Sequence, residues 1–253
     1  MLRPAASIAA ASLAVAIAFC SEIPLSERRS SYELMSAETK AMQDRDTDNP
    51  GMLWVLDGEA LWRAGATACS TCHGDAEKSM KGVAARYPAY DAKRGTAIDL
   101  SGRINICRTE HQKASELPRE SKNLLALAAL IARQSRGLPI QSDETGLKPF
   151  IDAGRSLFSK RQGQLDLACS HCHDDNWGRK LAGITLTQGH PTGYPLYRLE
   201  WQTLGSLQRR FRNCMIGMRA EPYPYGSAEL LALEAYLMWR ARGMPMESPA
   251  VRP

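Results

Sequence analysis

Two segments of the chain share one pattern of apolar and polar positions. SKNLLALAALIARQSRG, opening at Ser121, and SAELLALEAYLMWRARG, opening at Ser227, carry leucines at helical spacing behind a serine suited to capping a helix. Each ends in glycine followed by Leu-Pro or Met-Pro, a helix stop. Elsewhere Gly and Pro turns are scattered, and no clear run alternates apolar and polar residues as a half-buried strand does. The pattern predicts an all-α chain. A different apolar stretch stands at the start: residues 5–19, free of charge, behind Arg3. It is too short to span a bilayer and reads as a signal peptide, residues 1–20. Cys20 ends it, as in lipoproteins, but Phe19 stands where lipoprotein signals place a small residue, which argues against lipidation. No later stretch is apolar enough for a membrane helix, so the mature chain is expected to be soluble, in an exported, oxidising compartment such as the periplasm.

The two helical segments are part of a larger repetition. ACSTCHGD at 68–75 returns as ACSHCHDD at 168–175, offset by 100 positions. RYPAY at 86–90 returns as GYPLY at 193–197, offset by 107, and the lone cysteines Cys107 and Cys214 keep that offset, as do Arg103 and Arg210 ahead of them. The chain is a tandem duplication whose second copy carries seven more residues between its CxxCH and its Tyr-Pro. The expected organisation is an N-terminal extension at 21–55, a first module at 56–140, a polar linker at 141–149 and a second module at 150–253. Each half offers a thin core for its length, as though a bound group filled its centre.

Charge changes this picture little. Without Arg3 the chain holds 31 basic and 27 acidic residues, a mild surplus that suits a small anionic substrate. No dense basic run with interleaved aromatics speaks for nucleic acid. Cysteines change it more. Six remain after the signal, Cys69, Cys72, Cys107, Cys169, Cys172 and Cys214, and in an exported chain six would ordinarily mean three disulfides.

The CxxCH motifs argue otherwise. Both cysteines add across haem vinyl groups and the following histidine turns beneath the ring to bind iron. Chance would supply roughly 0.004 such matches at this composition, and there are two. Zinc knuckles need no histidine at that position, and a thioredoxin-like dithiol needs a strand before it in a βαβ setting. Two covalent haem c groups are therefore expected, with Cys69, Cys72 and His73 holding one and Cys169, Cys172 and His173 the other, which makes the modules at 56–140 and 150–253 two tandem cytochrome c-like haem domains. His171, between two cysteines, reads as a solvent-facing filler.

For the sixth ligand, Met80 follows its motif too closely to cross a haem, whereas Met215 and Met218 compete with Cys214 in the second copy. Only the cysteines are matched in both copies, which favours Cys107 and Cys214 as distal ligands of low-potential haems. The alternative, a Cys107–Cys214 disulfide, requires their α-carbons within about 7 Å. Arg210 and Cys214, at i and i+4, share a helix face, where a guanidinium lowers a thiol pKa and binds oxyanions by its fork. Arg103 reads as a partner for a haem propionate, and Arg209 and Arg212 as a solvated cationic face.

These residues resemble SoxA, the larger subunit of the SoxAX cytochrome of bacterial thiosulfate oxidation; RRFRNCMIGMR, with arginine four residues before the lone cysteine, is the most specific part. The resemblance implies an L-cysteine S-thiosulfotransferase that joins thiosulfate oxidatively to a cysteine of the SoxYZ carrier and passes electrons to SoxX, a heterodimer partner. It implies that Cys214 is the catalytic sulfur, able to carry a persulfide, that Arg210 binds the sulfonate, and that Cys69, Cys72, His73 and Cys107 hold the other haem. The second copy's extra residues, within NWGRKLAGITLTQGH, are read as shaping the carrier's access channel. Three rival readings remain: a thiosulfate dehydrogenase forming tetrathionate, a dihaem electron carrier without catalysis, and a dihaem peroxidase.

Overall fold

A computed structural model describes residues 22–181 and 183–253; the expected signal peptide and Cys20 lie outside the described residues. Two short 3-10 turns lead into α1 (Ala37–Asp44) and α2 (Met52–Trp62), followed by α3 (Cys69–His73) and α4 (Ala76–Ser79). A hairpin of β1 (Ala89–Asp91) and β2 (Thr96–Ile98) precedes α5 (Leu100–Glu110) and α6 (Lys122–Arg133). The second copy runs α7 (Lys148–Ser159), α8 (Cys169–His173), β3 (Lys180–Leu181), β4 (Ile184–Thr185), β5 (Leu196–Arg198), β6 (Thr203–Gly205), α9 (Leu207–Gly217), α10 (Ala228–Arg240) and β7 (Ala250–Arg252).

Helices carry the fold, but the expectation of an all-α chain is corrected by these short strands. At two or three residues each, they are too short for alternation to show in the sequence. The hairpins obey the duplication all the same. Tyr90 faces Ala97 across β1 and β2, and Tyr197 faces Leu204 across β5 and β6, the same register 107 residues on. β7 then adds to β5 in parallel and has no counterpart in the first copy.

In each copy the capped leucine helix packs on the helix that precedes the CxxCH turn. Ser121 and Ser227 accept hydrogen bonds from the backbone N–H three residues on, as good N-caps do. Leu124, Leu127 and Leu130 of α6 and Leu230 and Leu233 of α10 are buried, each contributing about 1.5–3 kcal/mol. Glycine allows the close approach: a Cβ on Gly58 would fall 2.3 Å from the Ala126 carbonyl oxygen, and one on Gly154 2.0 Å from that of Ala232.

The modules also pack on each other through a repeated contact. The Tyr197 ring lies 5.9 Å from Trp54 of α2, and the Tyr90 ring 6.4 Å from Phe150 of α7. Each hairpin thus rests on the other module's leading helix. The N-terminal segment docks on the C-terminal strand, where Gln43 Oε1 accepts from Val251 N at 3.1 Å and Asn49 Nδ2 donates to the Pro249 carbonyl at 2.9 Å. Among the described residues no helix is long and apolar enough to cross a membrane.

Candidate active site

A single helical turn presents each CxxCH. In α3 and α8 the two cysteines stand at i and i+3 and the histidine at i+4, so all three fall on one face. His173 is held more firmly than spacing alone requires. Its Nδ1 donates to the Thr187 carbonyl at 2.7 Å, which leaves Nε2 as the free ligating nitrogen. Phe158 lies 6.3 Å from the His173 ring, as Trp62 in the first copy lies 5.7 Å from that of His73. Gly189 comes close enough that a Cβ there would sit 3.2 Å from His173 Cγ. Thr187 and Gly189 belong to the longer loop of the second copy. The root of that loop therefore orients His173, a role the sequence did not disclose. His171 is no filler: its Nδ1 accepts the Ala168 N–H at 3.2 Å and so caps α8.

The lone cysteines meet their own motifs. All six described cysteines are free, so Cys107 and Cys214 are not joined. The charges of Cys69 and Cys72 act on the Cys107 thiol, and the charge of Cys214 acts on Cys169 and Cys172. Their chemistry then diverges. Burial raises the Cys107 thiol, and Arg103 only partly opposes it. Burial would raise Cys214 too, but hydrogen bonding to His173 and the charges of Arg210 and Arg198 bring it down to about 7. Cys169 goes the other way, pushed up to about 12 by burial and then by Cys214. The competing methionines pack inward: Met80, Met215 and Met218 are at most 9% exposed. A thiolate-forming sulfur facing a histidine whose second nitrogen is fixed, above two thiols, is a donor set that fits haem c with Cys/His ligation.

The arginines divide by what they touch. Arg210, like Cys214, lies on α9, capped by Ser206, and burial would depress its charge but Cys214 sustains it. Arg209 lies over the Trp201 ring at 4.5 Å, and Arg212 binds the carbonyls of Pro222 and Tyr223 while covering Tyr225 at 4.6 Å. Neither forms a solvated face; both clamp α9 to neighbouring loops. Arg103 pairs with Asp91 at 3.1 Å. Sequence reasoning missed Arg198 on β5, whose charge also lowers the Cys214 thiol, although the 107-residue offset sets it against Asp91.

This combination of paired CxxCH turns, one in each copy, defines a chain of tandem cytochrome c domains. The chain belongs to the SoxA/TsdA cytochrome c domain family, whose model matches residues 57–140 and 153–246. Haem c is the cofactor that such a domain implies. The chain is 37% identical to the L-cysteine S-thiosulfotransferase subunit SoxA of Pseudaminobacter salicylatoxidans, over 90% of this chain and 82% of that protein. It is 36% identical to the subunit of the same name from Rhodovulum sulfidophilum, over 89% and 80%. A crystal structure of SoxXA from P. pantotrophus superposes with a TM-score of 0.86 at 31% identity, covering 89% of this chain and 87% of that one.

Proposed function

We propose that the chain is a haem-dependent L-cysteine S-thiosulfotransferase, acting on thiosulfate and a cysteine of a SoxYZ carrier in the periplasm, as the partner of a SoxX cytochrome. Residues 1–20 direct export, residues 21–55 form an extension, and the units 56–140 and 150–253, joined by 141–149, each hold one covalent haem. Cys69, Cys72 and His73 with Cys107 serve the first; Cys169, Cys172 and His173 with Cys214 serve the second. The observation that carries the reading is the placement of Arg210 and Cys214 one turn apart on α9, where the guanidinium helps lower the thiol. The names of the relatives in two organisms support it, and the likeness to a chain of the SoxXA crystal structure supports the SoxX partner.

The residues divide the work. When bound, haem accepts electrons one at a time and passes them on. Thiosulfate is a dianion with a soft sulfur end and a hard oxyanion end. Arg210 holds the oxygens by its planar fork, which sets the sulfane sulfur toward Cys214. The sulfane sulfur bonds to the Cys214 thiolate as two electrons leave, and the carrier thiolate then attacks that sulfane sulfur, breaking its bond to Cys214 and releasing the Cys214 thiolate. Overall, one sulfur–sulfur bond forms between thiosulfate and the carrier cysteine while the carrier thiol loses its proton and two electrons leave. The thiolate is maintained because the guanidiniums of Arg210 and Arg198 offset burial, and Thr187 keeps His173 in the one orientation that turns Nε2 to the iron when haem is bound.

The family joins SoxA to TsdA, and the rival reading is a thiosulfate dehydrogenase forming tetrathionate, so product analysis is the test. Purified holoprotein with thiosulfate, carrier and an electron acceptor is expected to load the carrier and to form no tetrathionate. Tetrathionate made without carrier would overturn the reading in favour of the dehydrogenase.

A further inference from the structure

The two modules carry opposite charge at one matched position. The 107-residue offset relates β1 to β5, α5 to α9, Arg103 to Arg210 and Cys107 to Cys214. It also pairs Asp91 with Arg198, which hold the same place in their hairpins, opposite Thr96 and Thr203. In the first module the carboxylate neutralises the arginine. Asp91 Oδ2 accepts from Arg103 and from Arg94, both at 3.1 Å, and its side chain is 5% exposed.

In the second module that position is cationic. Arg198 is 6% exposed, and its guanidinium lies 5.5 Å from the Trp201 ring. Its Nε stands 3.1 Å from the exposed carboxylate of Glu200 but makes no hydrogen bond. Among the described residues no carboxylate is within salt-bridge distance of Arg210. Burial depresses the Arg198 charge and the neighbouring Arg210 depresses it further, while both guanidiniums act on Cys214. Among the described residues, the buried Arg198 and half-buried Arg210 share only the Cys214 thiolate and the exposed Glu200 carboxylate as counter-charges, which leaves guanidinium donors that an oxyanion can take up.

We propose that Arg198 and Arg210 together form a receptor for a small dianionic oxyanion at Cys214, and that Asp91 abolishes the equivalent receptor at Cys107 by neutralising Arg103. The identity of the anion as thiosulfate rests on the function proposed above; the receptor itself rests on the two guanidiniums. The duplication thereby yields one substrate-binding module and one closed to anions, through a single exchange of charge. Each fork supplies charge-assisted hydrogen bonds to different oxygens, which fixes orientation as well as affinity.

The test is calorimetric titration of the holoprotein, without carrier, using thiosulfate and, as an inert dianion, sulfate. The unaltered protein is expected to bind one dianion. Arg198→Gln should weaken binding at least tenfold with the haem spectrum unchanged, and Arg198→Lys should recover part of the loss. Asp91→Asn should add a second site of similar affinity; its remaining oxygen can still accept the Lys93 and Arg94 N–H groups that Asp91 now accepts. Binding by Arg198→Gln within twofold of the unaltered protein would overturn the proposal. Should that variant not fold, an Asp91→Asn protein still limited to one site would overturn it instead. Binding as expected without transfer to carrier would count against the proposed function and leave the receptor standing.

Discussion

A guanidinium beside a sulfur serves twice, stabilising the thiolate and offering a planar fork to an oxyanion. In the proposed function Arg210 has both uses for Cys214. Its removal costs substrate binding first, since the charge-assisted hydrogen bonds lost are worth about 1.5–3 kcal/mol. Arg210→Ala should therefore raise KM for thiosulfate about tenfold to a hundredfold and change kcat less, measured as initial rates against substrate concentration. This pair was legible in the sequence because i and i+4 share a helix face. Arg198 and Thr187 were not, because they reach the site from a hairpin and a loop root, through contacts that no local spacing encodes. Asp91 illustrates the same limit: its alignment with Arg198 was readable, but its ion pair with Arg103 depends on how β1 lies on α5.

Elements of the two copies are held by the same devices. The capped leucine helices were evident from pattern because capping and 3.6-residue periodicity are local. Hairpins of three-residue strands escaped because pairing, not alternation, defines them. The helix-to-helix approach at Gly58 and Gly154 also escaped, since a glycine inside a helix carries no mark of what packs against it. Gly154→Ala would drive a Cβ into the Ala232 carbonyl and should cost about 1–3 kcal/mol. That corresponds to a fall of about 2–12 °C in the Tm of the holoprotein, read by the circular dichroism of its helices. An unchanged Tm would mean that α7 and α10 slide apart at no cost.

At the scale of the whole molecule the duplication makes a paired interface, with a cavity of about 70 Å³ lined by residues of both copies, among them Asp99, Gln208 and Glu234. Gln208 Nε2 donates to Asp99 Oδ2 at 3.2 Å and to Glu234 Oε2 at 3.1 Å, tying α5 to α10 through α9. Burial, and then the charge of Asp99, push the Glu234 carboxyl from 4.5 up to about 8. Between those values the folded protein keeps a proton that the unfolded chain releases, so stability falls as pH rises through the window and levels off above it. Glu234→Gln should flatten that decline, read from urea midpoints at about pH 5 and about pH 9; an unaltered slope would move its origin elsewhere. The tandem architecture was legible from offsets of 100 and 107 residues, but this interface was not, since it joins residues more than a hundred positions apart. All of it serves one arrangement, an activated sulfur facing a fixed histidine. The most direct measurement is intact mass spectrometry of carrier and enzyme after reaction of Cys214→Ser with thiosulfate and an electron acceptor. The variant is expected to retain two covalent haems and to leave the carrier without a thiosulfate adduct, whereas a carrier loaded as fully as by the unaltered protein would contradict the account.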